Sequence, residues 1–159
     1  GLAAPDGRIF LTRGFLDRLD GNEVTEAELA SVIAHELGHV AHGHSRRRMV
    51  DFAGQNVIRV VLAGTLGRFL PGIGGWIANL AAAAVAARLS RQDEFEADAF
   101  ASALMVKAGL GTGTQKSLFR KLEGLAGGRG AAPAWLMSHP RTEARIAAIE
   151  QLEARWGLR

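Results

Sequence analysis

Thr25-Glu26-Ala27-Glu28-Leu29-Ala30-Ser31-Val32-Ile33-Ala34-His35-Glu36-Leu37-Gly38-His39-Val40 is the stretch from which the rest of this 159-residue chain is read. Thr25 and Glu28 stand in the Thr-x-x-Glu order of a capping box, where the hydroxyl and the carboxylate satisfy free backbone N–H groups at a helix start. Leu29, Val32, Ile33, Leu37 and Val40 follow at helical spacing. The segment His35 to His39 is therefore predicted to lie well inside a helix. His35-Glu36-Leu37-Gly38-His39 has the HExxH form. Residues four apart share a helix face, so the two imidazoles converge on one ion, and Glu36 is set to reach a water on that ion instead of the ion itself. Zinc fits this pattern: it lowers the pKa of such a water toward about 7, and Glu36 can take the proton.

A zinc ion held by two His needs a third protein ligand. In the metzincin pattern a Gly lies three residues past the second His and a third His three beyond that. Those positions hold His42 and Ser45 here, so the register fails, and His44 is one residue short. His42 reads as a polar helix-end residue, and His44 as an imidazole favoured by the dipole near a helix C-terminus. Neither is assigned to the metal. A carboxylate from another helix is the better expectation, and Arg91-Gln92-Asp93-Glu94-Phe95-Glu96-Ala97-Asp98 supplies candidates. Glu94 and Asp98 share a face, which would let one ligate while the other holds a ligand His through its free ring N–H. On charge alone Asp93, Glu94 and Glu96 all remain open, as does an exposed acidic turn.

At 159 residues and 48% hydrophobic, the chain suits one compact domain spanning 1–159. Abundant Gly and Ala, few aromatics and no Tyr predict small-residue helix packing with Leu, Val and Ile at the contacts. The net charge of +3 comes from Arg spread along the chain, apart from Arg46-Arg47-Arg48, with no nucleic-acid motif. We read a solvated basic face and expect no nucleic-acid partner. With no Cys, disulfides and thiolate metal sites are excluded. The start at Gly1 instead of Met reads as a fragment lacking an upstream signal or anchor.

Ala3-Ala4-Pro5-Asp6-Gly7 predicts a turn into a strand over Arg8-Ile9-Phe10-Leu11-Thr12, bounded by Gly14, so a small sheet opens the domain. Residues 57–87 are apolar, and Phe69 to Ala87 carries no charge over about the length of a membrane span. Pro71 and the Gly residues around it, followed by Ala rather than Leu, favour instead a helical hairpin, packed in the core or lying against a membrane or substrate. A helix is predicted from near Trp76 to Lys107 with Gly109 as its cap, another from Gln115 to Leu125, then the Gly127-Gly128-Arg129-Gly130 loop. Thr142 to Trp156 closes the domain as an amphipathic helix with Ile146, Ile149 and Leu152 inward.

Four stretches together resemble a known family. HExxH is followed by Glu94-Phe95-Glu96-Ala97-Asp98-Ala99-Phe100 and by Ser138-His139-Pro140 with Arg145, and it is preceded by Asp6-Gly7-Arg8-Ile9-Phe10-Leu11-Thr12-Arg13-Gly14-Phe15-Leu16. This set is similar to the HtpX-like zinc endopeptidases, which include CAAX prenyl proteases and periplasmic quality-control peptidases. The resemblance implies an α+β, predominantly α-helical, zincin-like (gluzincin) domain with a small N-terminal β-sheet. It implies one Zn2+ on His35, His39 and Glu94, with Asp98 and Arg145 organising the ligands, Glu36 as base and His139 stabilising the oxyanion. A His before Pro sits in an extended turn, which suits a side chain reaching out of a loop.

In membrane-embedded relatives the stretch between the zinc motifs includes spans. Here it is short, Gly-interrupted and contains Arg, which points to soluble or peripherally attached members. The expected substrates are misfolded or membrane-associated proteins, with peripheral membrane contact through 57–87, in the bacterial periplasm or cell envelope. Two rival readings stand beside this: a zinc-binding chaperone or assembly module with latent or no protease activity, in which His139 occupies zinc's open position, and a membrane-surface protein using the apolar middle segment.

Overall fold

The structure is a computed structural model that describes residues 2–69, 74–126, 139 and 142–158. Strands β1 (Leu2–Ala3) and β2 (Ile9–Phe10) pair antiparallel, with Leu2 opposite Phe10 and Ala3 opposite Ile9. The turn between them closes as its sequence implies: Ala4 N–H donates to Arg8 O at 2.8 Å, and Gly7 takes a φ of +87° that suits glycine. The strand is shorter than the predicted Arg8–Thr12. Helix α1 (Arg13–Asp20) starts at once, with Gly14 inside it and not bounding the strand, because Phe15 turns inward to the core. An eight-residue helix holding a glycine near its start gives too little periodicity to be seen in sequence.

Helix α2 (Glu26–Ala41) begins on the predicted capping box: Thr25 N–H donates to Glu28 Oε2 at 2.8 Å and Glu28 N–H to Thr25 Oγ1 at 3.2 Å. Glu28 also accepts from Ser117 Oγ and Lys121 Nζ of α5 (Gly113–Ala126), at 2.7 and 2.8 Å, so the cap doubles as a tie between helices. The inward face of α2 differs from the apolar series read in sequence. Leu37 is 37% exposed, while Val32, Ala34, His35, Glu36, Gly38 and His39 are buried. The most enclosed face of this helix is largely polar because it looks onto the site.

Helices α3 (His44–Phe69) and α4 (Gly74–Lys107) pack along each other as expected of the hairpin; residues 70–73 of the break expected between them lie outside the described residues. Among the described residues no helix is long and apolar enough to cross a membrane. Far from being packed in the core, Val57, Val60 and Val61 of α3 and Trp76, Leu80 and Val85 of α4 are exposed. The other end of α4 is tightly held against α2. A Cβ added to Gly38 would come within 2.8 Å of Ala97 Cα and O, so the two backbones touch there. Ala34, Ala101 and Met105 fill the same interface, which is the small-residue packing the composition predicts. As predicted, Gly109 caps α4: its φ is +76°, it donates to Val106 O, and Leu110 N–H donates to Met105 O.

The second core cluster joins α1, α2, α5 and α6 (Thr142–Trp156) through Phe15, Val24, Val32, Leu118, Phe119, Leu122 and Ile149. Two of the few aromatic residues anchor it, which composition alone did not suggest. Ile146 and Leu152 are partly buried beside Ile149, as the amphipathic tail implies. The chain is thus an α+β domain, predominantly helical, with one small sheet.

Candidate metal centre

The close contact of α2 with α4 sets one turn of each helix face to face. His35, Glu36 and His39 on α2 meet Glu94 and Asp98 on α4, each 5% exposed or less. His35 Nε2 lies 3.1 Å from His39 Nε2 and 3.4 Å from Glu94 Oε2, and His39 Nε2 lies 3.4 Å from Glu94 Oε1. Ligand atoms about 2.0–2.1 Å from a tetrahedral ion stand about 3.3 Å apart, so this spacing fits a metal. Glu94 Oε1 is also buried without a hydrogen bond: the Arg48 guanidinium faces it at 3.6 Å, too far for one, and a closer cation would satisfy it better. The donor set and the oxygen without a hydrogen bond agree.

His139 joins the same cluster, with Nδ1 at 2.7 Å from Glu94 Oε2 and 3.3 Å from His35 Nε2, and Nε2 at 3.5 Å from Glu36 Oε1. Its neighbours Ser138 and Pro140 lie outside the described residues. His35, His39, Glu94 and His139 form one buried group able to hold a metal.

Behind the cluster, His35 Nδ1–H donates to Asp98 Oδ1 at 2.9 Å, so that in the neutral ring a metal would require, the lone pair is on Nε2, toward the other ligands. Asp98 is gripped by Arg145 of α6, through Nε to Oδ2 at 2.6 Å and Nη2 to Oδ1 at 2.7 Å. The same guanidinium donates to His139 O at 3.1 Å and lies 4.4 Å over the Phe119 ring. One side chain therefore ties α4, α5, α6 and His139 together. Gln115 adds a further donor to Asp98 at 3.3 Å and is itself oriented by Ser102 Oγ at 2.9 Å.

The electrostatics follow from burial and charge. Burial and then the charge of His35 push His39 down to about 2, so it stays neutral. Burial would raise Glu94, but His139, His35 and Arg145 outweigh it and hold the carboxyl well below its usual range. Burial lowers His35, yet Asp98 and Glu94 more than compensate and raise it.

The three carboxylates left open by charge separate clearly. Asp93 turns to Arg48, whose Nε is 2.9 Å from Oδ2, and Glu96 binds Gln92 and His44; Glu94 alone of the three reaches both His35 and His39. His42 is exposed with its ring parallel to that of His44. His44, read in sequence as an imidazole near a helix C-terminus, is instead the first residue of α3; it is 1% exposed and its Nδ1 lies 2.7 Å from His39 Nδ1. Helical spacing could not reveal this, because the chain bends at Gly43 with φ +65° and brings His44 back beneath α2.

A family profile described as peptidase family M48 matches residues 1–153. The chain belongs to peptidase family M48. The HtpX-like resemblance holds. This M48 chain is 32% identical to the metalloprotease YcaL of Escherichia coli over 90% of its own length and 54% of that protein. It is 32% identical to the metalloprotease LoiP of the same organism over 80% of the chain and 48% of that protein. A protease HtpX homolog of Bordetella petrii is 28% identical over 92% of the chain and 58% of that protein. The chain thus spans about half the length of the curated relatives it matches. No solved structure matches it.

Proposed function

We propose that residues 1–159 are the catalytic domain of a zinc-dependent endopeptidase, with Zn2+ held by His35, His39 and Glu94. The convergence of two imidazole nitrogens and a carboxylate within 3.1–3.4 Å of one another supports this reading. When bound, zinc supplies Lewis acidity toward water and toward a carbonyl oxygen. Glu36, fully buried one residue from His35, takes the proton of the attacking water and returns it to the leaving amine. His139 Nε2, close to Glu36, donates to the oxyanion of the tetrahedral intermediate. Asp98 and Arg145 hold the ligands in place.

A cleft of about 440 Å³ between the β1–β2 turn and the end of α2 has His39 in its lining, along with Ala4, Gly7 and His42. An extended substrate would enter there beside the edge of the small sheet, using strand-like pairing. The substrates we favour are misfolded or membrane-associated proteins of the bacterial periplasm or cell envelope. The exposed Val60, Trp76 and Leu80 of the hairpin suit peripheral membrane contact through 57–87. No nucleic-acid role is assigned.

The parent chain is expected to bind one zinc and cleave unfolded casein; Glu94→Ala should bind zinc at least 100-fold more weakly and lose cleavage. Casein cleavage that persists in a metal-free parent would sink the proposal. The position of His139 favours a second reading, a latent protein in which Nδ1 serves as a further ligand. His139→Ala separates the two. As an oxyanion donor its loss should lower kcat about 10²–10³-fold, whereas release from latency would raise it.

A further inference from the structure

His39 and His35 are held in different ways. His35 is backed directly by a carboxylate, but His39 Nδ1 faces another imidazole, His44 Nδ1, at 2.7 Å, and His44 Nε2 in turn faces Glu96 Oε2 at 3.1 Å. A neutral imidazole carries one N–H and one lone pair. For His39 Nε2 to offer its lone pair to a metal, its proton must sit on Nδ1, which can then donate only if His44 Nδ1 is bare. The proton of His44 must consequently be on Nε2, where the Glu96 carboxylate accepts it. Every proton in the row is then placed, running from His39 to Glu96. Glu96 is fixed for this task by Gln92 Nε2, 2.9 Å from its other oxygen.

His42, His44 and Glu96 also have ligand atoms within 4.8 Å of one another and so resemble a second metal group. A cation there would take the lone pair of His44 Nε2 and move its proton to Nδ1. His39 Nδ1 would then have to accept, and the His39 proton would move to Nε2, pointing into the ligand cluster. The two groups cannot both be loaded. The Arg47 guanidinium, 3.5 Å from Glu96 Oε2 and from Asp93 Oδ1, adds a positive charge that opposes the second cation.

We propose that His44, backed by Glu96, is the positioning residue that fixes His39 in its metal-binding tautomer and thereby prevents a second metal from binding at His42, His44 and Glu96. This rests on the metal site proposed above and adds a role that HExxH does not include.

The test measures zinc affinity of the full chain by chelator competition, the visible absorption of the Co2+-loaded chain, and casein kinetics. The parent should bind one zinc. His44→Leu should weaken zinc about 10–100-fold, shift the Co2+ spectrum and lower kcat with KM unchanged. His44→Asn, whose amide oxygen falls near the Nδ1 position, should recover most of the affinity, and Glu96→Gln should cost only a few-fold. If His44→Leu fails to fold when metal-free, the comparison of His44→Asn and Glu96→Gln with His44→Ala carries the same expectation. Zinc affinity within twofold of the parent and an unchanged Co2+ spectrum for the Leu and Ala variants would overturn the inference alone. So would a parent that binds a second zinc while keeping the first. A parent that binds no zinc would overturn both this and the proposed function.

Discussion

Replacing Glu36 by Gln is expected to leave a folded chain that still binds one zinc and cleaves casein about 10²–10⁴-fold more slowly than the parent. The reasoning separates the two kinds of carboxylate in the site. Glu94 has its oxygens against both ligand imidazoles, so changing it removes a ligand. Glu36 stands on the same helix as those imidazoles but is directed toward His139, with Oε1 at 3.5 Å from Nε2. Its amide keeps the shape and gives up the ability to take a proton. The measurements are zinc content and turnover on one preparation: full turnover with Gln at position 36 would remove Glu36 from the mechanism, and lost zinc would make it a ligand.

Arg145→Met is expected to be among the most destabilising single changes available, costing about 3–5 kcal/mol. That is a large share of the roughly 5–15 kcal/mol that holds a domain folded, and it corresponds to a drop in Tm on the order of 10 °C. The cause is the carboxylate left behind. Asp98 is 1% exposed, and two Arg145 nitrogens within 2.7 Å compensate its charge. Burial alone would raise the Asp98 carboxyl, but Arg145 and His35 outweigh this and hold it below the usual range. A lowered acid stabilises the fold fully above its unfolded value, and that stabilisation is lost as pH falls through the folded value. The parent should therefore lose stability in acid more steeply than a double Arg145→Met/Asp98→Leu variant, which removes both charges. Thermal unfolding of the metal-free proteins across pH checks both expectations; a single variant that melts with the parent would show that the pair contributes little.

Legibility in the sequence tracked the range of the interactions. The capping box, the turn at Gly7 and the Gly109 cap are local, and each stands where its residues implied. His35, Glu36 and His39 were visible for the same reason, since four-residue spacing on a helix is a local rule. Asp98 was placed by its four-residue spacing from Glu94, while Glu94, His139 and Arg145 were reached by family resemblance, and the structure brings all four into the network around His35 and His39. Periodicity misled where the inward face of α2 is polar: Leu37 fits the apolar series and is exposed, while Gly38 is buried against Ala97. Gln115 and Phe119 touch the site network through tertiary contacts that no spacing encodes. His44 is concealed by a single residue of left-handed backbone.

The contact between Gly38 and Ala97 would serve as the pivot of any tilt of α4. Helix α4 continues unbroken from this point to the exposed end of the hairpin. At 1.5 Å per residue, Glu94 lies about 4.5 Å from the pivot and Gly74 roughly 35 Å from it on the same arm. Any tilt of the helix about the contact is thus geared down about eightfold between the far end and Glu94. A displacement of about 1 Å at the outer end would reach Glu94 as roughly 0.1 Å, so Glu94 lies where such a tilt would move it little.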